Sequence, residues 1–253
     1  MQRDQVIYST HSPYLIPPDK LHRLRIVLKK PEAGTTIVEK LSHVDLQGED
    51  FSDVLSPVLT AIGIDIREQL NFVGKNNVVV EGISDFYYLQ AWRSLISDPP
   101  NLDTNMFPGT GASSTVLLSS LFIGWGLNFI VVLDHDEEGN AIKQKLVREM
   151  GIDEKQVVQP EQASGIEDLF SHNDFNELLE SYNSSFKLNP GERPTRAIKR
   201  LGIDKVLLAR NFAARASAGK VDLTKATQDS VRTFLNTVSK ALVDAVQLGK
   251  GPA

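Results

Sequence analysis

The chain has no cysteine. Disulfides, thiolate metal sites and cysteine nucleophiles are therefore excluded, and a reducing cytoplasm is the compatible compartment. The opening residues, "MQRDQVIYST", lack an apolar stretch after a basic start, so no secretory signal is read there. No G-x-x-x-x-G-K-[ST] loop occurs, so ATP hydrolysis is not expected of these residues. No G-x-S-x-G sequence partners His11, His22, His43, His135 or His172, which leaves serine-triad chemistry without support. Net charge is only -5, so overall charge gives no argument for nucleic acid. Repeats and low-complexity runs are absent too. One long uncharged run, Val116 to Leu133, approaches membrane-spanning length, but "GWGLN" breaks it. It is expected to be a helix, a turn and a buried strand, with no membrane partner.

What is present suits a globular protein. With 253 residues, 41% hydrophobic and 23% charged, the chain can bury a core as one large or two modest domains. Residues 1 to about 45 read as strand segments: "QVIYST", then "LHRLRIVLKK" and "TTIVEKL" as a hairpin around "PEAG". Residues 46–76 read as a helical connector ending at "GKNN". Strands and helices then alternate. Strands are expected at 78–80, 129–133 and "KQVVQP", and a strand or loop at "NMFPGTG". Helices are expected over 85–96, 114–122 and 138–150, with another opening at Ile166. That order predicts an α/β fold, a Rossmann-like parallel sheet flanked by helices. After residue 172 only helices are expected, over 196–218 and 230–248.

The informative residues are acids at strand ends. In a parallel sheet, ligands bind beyond the carboxyl ends of the strands. Glu81 follows the apolar "VVV", and Asp85 falls in the first turn of the next helix, where Ser84 can cap and an acid is favoured by the dipole. The strand "FIVVL" ends in Asp134, then Asp136, then Gly139; alternation sends both aspartates to one side. Two carboxylates this close repel unless a cation or proton lies between them. Glu137 and Glu138 read as solvated first-turn residues, and His135 as pointing away from the aspartates. In "SGIEDLF", Ser164 and Glu167 fit a capping box and Asp168 suits a first turn. Each group has a local use. Together they form an acidic cluster at one sheet edge, able to hold two Mg²⁺ or Mn²⁺ ions about 4 Å apart for displacement at phosphorus. "PGTGASS" reads either as a tight strand-to-helix turn or as a phosphate cradle.

A glutamate after the first strand and a later D-x-D-x-x-G resemble the Toprim domain of topoisomerases, bacterial primases and certain nucleases. Glu81, Asp134, Asp136 and Gly139 fill that pattern. "EGISD" and "GIEDLF" further resemble the OLD-family nucleases (overcoming lysogenization defect), in which an ABC-type ATPase precedes a Toprim nuclease. The resemblance implies metal ligation by Glu81, Asp85, Asp134, Asp136, Glu167 and Asp168; many members have glutamate where this chain has Asp85. "STHSP", with His11, is similar to the switch-histidine segment near the end of an ABC-type ATPase. The implied division is an ATPase remnant and connector over 1–74, a Toprim catalytic domain over 75–172 and a helical domain over 173–253. ATP is expected only in an absent preceding part, and the chain as the C-terminal portion of a longer protein.

The resemblance also implies a catalytic lysine after the Toprim core, either Lys205 or Lys220. Between Glu192 and Lys220 the sequence has eight Lys or Arg against two acids. Arg196, Lys199, Arg200, Arg210 and Lys220 are the candidate contacts to a DNA backbone. The expected activity is a two-metal DNA endonuclease that nicks and cleaves, with DNA and the ATPase part as partners; homo-oligomerisation is left open and phage defence is implied by the resemblance alone. Two rivals stand beside it. One is a haloacid-dehalogenase-like phosphotransferase with Asp134 as nucleophile. The other is a non-catalytic DNA-docking or dimerisation module.

Overall fold

The computed structural model describes residues 7–9, 23–30, 34–38, 76–96, 104–109 and 111–249. His11 lies outside them, as does the expected connector except for Asn76, which begins a strand instead of ending a helix. Two compact units divide the chain: residues 1–74 with 120–127, and residues 75–119 with 128–253. In the first, β1 (Ile26–Lys30) and β2 (Gly34–Val38) pair antiparallel, Ile26 opposite Val38. This is the hairpin expected around "PEAG", and Gly34 adopts the positive φ, +72°, at the start of its second strand. Residues 7–9, expected inside a strand, are not in one. β-propensity declares itself only where a neighbouring strand completes the ladder.

In the second unit β3 (Asn76–Val80), β4 (Thr104–Pro108), β5 (Phe129–Val132) and β6 (Val157–Val158) form one parallel sheet in the order β4-β3-β5-β6. The connecting helices are α1 (Ile83–Leu95), α2 (Ala112–Trp125) and α3 (Glu137–Met150). The α/β parallel sheet that the Toprim resemblance implies is therefore present. Its central strands are unalternating and β-branched because they are covered: Val78 to Val80 and Ile130 to Val132 are all buried. Pro108 sits on the edge strand, where its missing N–H removes no ladder bond. The uncharged run splits as expected, with Gly126 at φ +65° between α2 and β5. Among the described residues no helix is long and apolar enough to cross a membrane.

Beyond β6 the structure departs from expectation in two places. The helix expected to open at Ile166 is a single 3-10 turn, Ile166–Leu169; Ser171 then caps a separate helix, α4 (His172–Tyr182). The helix expected over 196–218 is two helices, α5 (Pro194–Leu201) and α6 (Lys205–Ser217). Gly202, at φ +63°, ends α5, and Asp204 caps α6 by accepting from the amides of Val206 and Leu207 at 2.9 and 3.1 Å. Helix α7 (Lys225–Gly249) closes the fold.

One apolar core joins the sheet to the late helices. Val80 and Val132, Tyr88 and Trp92 of α1, Phe212 of α6, and Val231 and Val238 of α7 all belong to it. Each such side chain, fully buried, contributes about 1.5–3 kcal/mol of transfer free energy. That packing fixes the start of α6 relative to the carboxyl ends of β3 and β5.

Candidate functional site

The two central strands end on acids that are stitched together. The Glu81 amide continues the β3 ladder by donating to the Val132 carbonyl at 3.1 Å. Its side chain turns across, and Oε2 accepts from the Asp134 amide at 2.8 Å. Asp136 is the N-cap residue of α3, its Oδ1 accepting from the Gly139 amide at 2.9 Å. A Cβ at Gly139 would stand 2.0 Å from the Asp134 carbonyl oxygen, so the chain can return this closely only with glycine there. Gln159 Nε2 donates to the same carbonyl at 2.9 Å. The glycine of D-x-D-x-x-G thus has a steric reason independent of any ligand.

Three more elements bring charged groups to this edge. On α1 the N-cap residue is Gly82, not Ser84; Asp85 Oδ2 accepts from the Gly82 amide at 2.9 Å and Oδ1 from the Ser84 hydroxyl at 3.3 Å. With Gly82 as the N-cap, Ser84 is already the second residue inside the helix and cannot cap it. On the 3-10 turn, the expected Ser164–Glu167 capping box does not form, because Gly165 is the N-cap residue. Asp168 takes the Ser164 amide instead, at 3.0 Å, and Glu167 turns inward to 1% exposure. A Cβ on Gly165 would meet Glu167 Oε2 at 2.9 Å and Asp134 Oδ1 at 3.2 Å, so both carboxylates border one spot that this glycine keeps open. At the start of α6, Lys205 Nζ stands 3.5 Å from Asp134 Oδ2.

Burial makes these charges expensive. It pushes the Glu81 carboxyl up to about 7, with Asp134 and Asp136 adding and the Asp134 amide and Lys205 opposing. Glu167 is pushed up to about 7 by burial, reinforced by Asp134 and opposed by Lys205. Asp85 is raised well above the ordinary carboxylate range, first by burial and then by Asp134 and Glu167. Asp134 is raised by burial and by Asp136, against the pull of Lys205. Burial works against the Lys205 charge, but Glu167, Asp85, Asp134 and Glu81 outweigh it and its pKa is raised. Among the described residues, one ammonium thus faces three buried carboxyl groups and the half-buried Glu81.

The donor set suits a hard divalent cation. Every group is an oxygen, with neither thiolate nor a histidine pair among them. Asp134 Oδ1 and Glu167 Oε1 are buried with no hydrogen-bond partner among the described residues, which is costly unless something else meets them. Among the described residues, however, no three Asp, Glu or His side chains stand close enough as they lie to hold a metal ion. Backbone amides occupy one oxygen each of Glu81, Asp85 and Asp136, and Lys205 meets Asp134. The residues fit a cation in chemistry, and coordination requires side-chain adjustment.

Other expected residues are placed differently. Asp168 is spent internally: besides Ser164, it accepts from the Thr195 amide at 2.9 Å and the Thr195 hydroxyl at 3.1 Å, tying the 3-10 turn to α5. Lys220 follows α6 at the end opposite Lys205, about 20 Å along a 13-residue helix. Arg196, Lys199 and Arg210 are exposed, as are His135, Glu137 and Glu138. Arg200 is exposed but committed, its guanidinium clasping Glu192 through two 2.7 Å bonds. Gly109 serves a tight turn: a Cβ there would stand 2.5 Å from Thr115 Oγ1 and 2.7 Å from the Glu81 carbonyl. Sequence reasoning missed Gly165, whose signal, a glycine just before the acid pair, was absorbed by the capping-box pattern.

No protein-family model matches the chain, and no curated protein matches its sequence at a significant level. Among solved structures, the chain is similar to the C-terminal region of the Xanthomonas campestris pv. campestris OLD protein, with a TM-score of 0.47 and 16% identity over 69% of this chain and 94% of that one. It is also similar to the C-terminal region of the Burkholderia pseudomallei OLD protein, with a TM-score of 0.44 and 13% identity over 68% of this chain and 98% of that one. Both are C-terminal regions of OLD proteins, the family that the sequence motifs resemble.

Proposed function

We propose that this chain is a divalent-metal-dependent DNA endonuclease of the OLD type. The observation that carries the reading is the convergence of Glu81, Asp85, Asp134 and Glu167 on one sheet edge, where, among the described residues, two buried carboxylate oxygens are unpartnered and Lys205 is the counter-charge. Glu81, Asp134, Asp136 and Glu167 are the assigned metal-holding residues, with Asp85 supporting them from α1. Asp168 is assigned to holding the turn rather than to a metal, because its oxygens already accept three hydrogen bonds. Two Mg²⁺ or Mn²⁺ ions would supply Lewis acidity toward the scissile phosphate and lower the pKa of the attacking water. Lys205 is the group of this chain that neutralises charge on the phosphate, in preference to Lys220. Arg196, Lys199 and Arg210 offer exposed cationic heads for the DNA backbone, a sequence-independent and salt-sensitive attraction.

Nicking of supercoiled plasmid by the purified chain tests this directly, with Mg²⁺, Mn²⁺ or Ca²⁺ and with EDTA. The expected result is relaxed and linear plasmid with Mg²⁺ or Mn²⁺ and none with EDTA. DNA binding with no cleavage under any of these ions would overturn the reading in favour of a docking module. A phosphoryl group trapped on Asp134 would overturn it in favour of a phosphotransferase.

A further inference from the structure

Tyr88 is wholly buried, and among the described residues its hydroxyl has no hydrogen-bond partner. An unmet buried hydroxyl costs about 1–3 kcal/mol, and phenylalanine would fill the same space without that cost. The ring sits where three elements of the acidic edge meet. It lies one turn after Asp85 on α1, and its centroid is 5.6 Å from those of Phe170 and Phe212. Phe170 ends the 3-10 turn that carries Glu167, its amide donating to the Glu167 carbonyl at 3.2 Å. Phe212 lies on α6, which Lys205 begins. Trp92 stacks beneath the ring at 5.6 Å and holds it in place.

Side chains on a helix lean toward its N-terminus, which carries the Tyr88 hydroxyl toward the Asp85 end of α1. Burial first, then the charges of Glu167 and Asp85, raise its pKa well above the ordinary phenol, so it remains a donor. Glu167 Oε1, in turn, is a buried acceptor without a donor.

We infer that Tyr88 is a positioning residue for Glu167, its hydroxyl donating to that carboxylate and fixing it as a metal ligand. The two groups do not bond each other in this structure, so closing the pair takes a turn of the Glu167 side chain or one bridging water. This deepens the proposed metal-dependent function and rests on it. The pattern matches the general behaviour of metal sites, where a neighbour's hydrogen bond orients a carboxylate ligand and its loss costs roughly 10- to 100-fold in affinity.

Tyr88→Phe keeps every ring contact and removes only the hydroxyl. Mn²⁺ affinity by titration calorimetry and melting temperature in EDTA are measured for the parent, Y88F, E167Q and the double variant. The inference expects Mn²⁺ binding at least tenfold weaker in Y88F, a melting temperature in EDTA equal to or above the parent's, and no further loss when Y88F is added to E167Q. An unchanged dissociation constant, a weaker one accompanied by a lower melting temperature in EDTA, or additive losses in the double variant would each overturn it while leaving the metal site intact. A parent chain without saturable Mn²⁺ binding would overturn the nuclease reading and this inference together.

Discussion

Asp134 and Asp174 are the same residue at the same exposure, 8%, and the fold treats them in opposite ways. Asp174 is saturated. It accepts from the Ser171 hydroxyl at 2.9 Å, the Thr224 hydroxyl at 2.7 Å, the Thr224 amide at 3.1 Å and the Thr227 hydroxyl, fastening the start of α4 to the start of α7. Among the described residues, Asp134 has one buried oxygen without a hydrogen-bond partner, and Lys205 stands 3.5 Å from the other. The α4–α7 corner spends its buried charge on holding helices together. The sheet edge leaves its charge unmet beside Glu81, Asp85 and Glu167. Hydroxyl donors were within the chain's means, as the first site demonstrates, so the unmet oxygens of Asp134 and Glu167 at the second mark a place shaped for something other than stability.

Substitution should separate the two sites cleanly. Asp134→Ala is expected to lower Mn²⁺-dependent plasmid nicking by about 10³-fold or more, while costing under about 1 kcal/mol in urea unfolding with EDTA, because it deletes an unmet charge. Nicking at the parent's rate would remove Asp134 from the site. Lys205→Ala should slow nicking about 100-fold, exceed the effect of Lys220→Ala, and leave Mn²⁺ affinity equal or higher, since the ammonium competes for Asp134. Weaker Mn²⁺ binding in that variant would make the lysine a structural partner of the acids. Asp174→Ala should do the reverse of Asp134→Ala, costing about 2–4 kcal/mol in urea unfolding through its stranded hydroxyl donors. A smaller stability loss than that of Asp134→Ala would break the contrast.

The smallest effect concerns pH. Glu81 and Glu167 are both raised to about 7 from 4.5, so between those values the folded chain holds protons that the unfolded chain has released. Stability in EDTA should therefore fall as pH rises from about 4.5 to 7 and level off above, by on the order of 1–2 kcal/mol after solvent screening. Urea midpoints at pH 5, 6, 7 and 8 would show it, and Glu167→Gln should flatten the slope. Midpoints that climb across this window would mean the acids are already compensated.

Much of the acidic edge was legible because it depends on strands. Apolar, unalternating runs that stop on an acid identify a buried strand and place its last side chain, which is how Glu81 and Asp134 could be read together. The 3-10 turn was harder. Ser164, Glu167 and Asp168 satisfy a capping pattern in either assignment, and only the position of Thr195, 27 residues beyond Asp168, decides that Asp168 is held and Glu167 is free. The break at Gly202 was masked by helical periodicity on both sides, yet it makes Lys205 the first residue of a helix rather than the middle of one. Tyr88 carries no local signal and Asp174 only the Ser171-x-x-Asp174 capping pattern, since what distinguishes them is the presence or lack of partners distant in sequence.

The contact between Gly139 and the Asp134 carbonyl divides the acidic edge mechanically. On that side strand, loop and helix touch backbone to backbone, further pinned by Gln159. Glu167 rides a short turn that the His135 amide ties to the same edge through the Ser164 carbonyl at 2.9 Å, and Lys205 begins a helix. Adjustment around a guest therefore falls first to the side chains of Glu167 and Lys205, which have more torsions to turn than an aspartate.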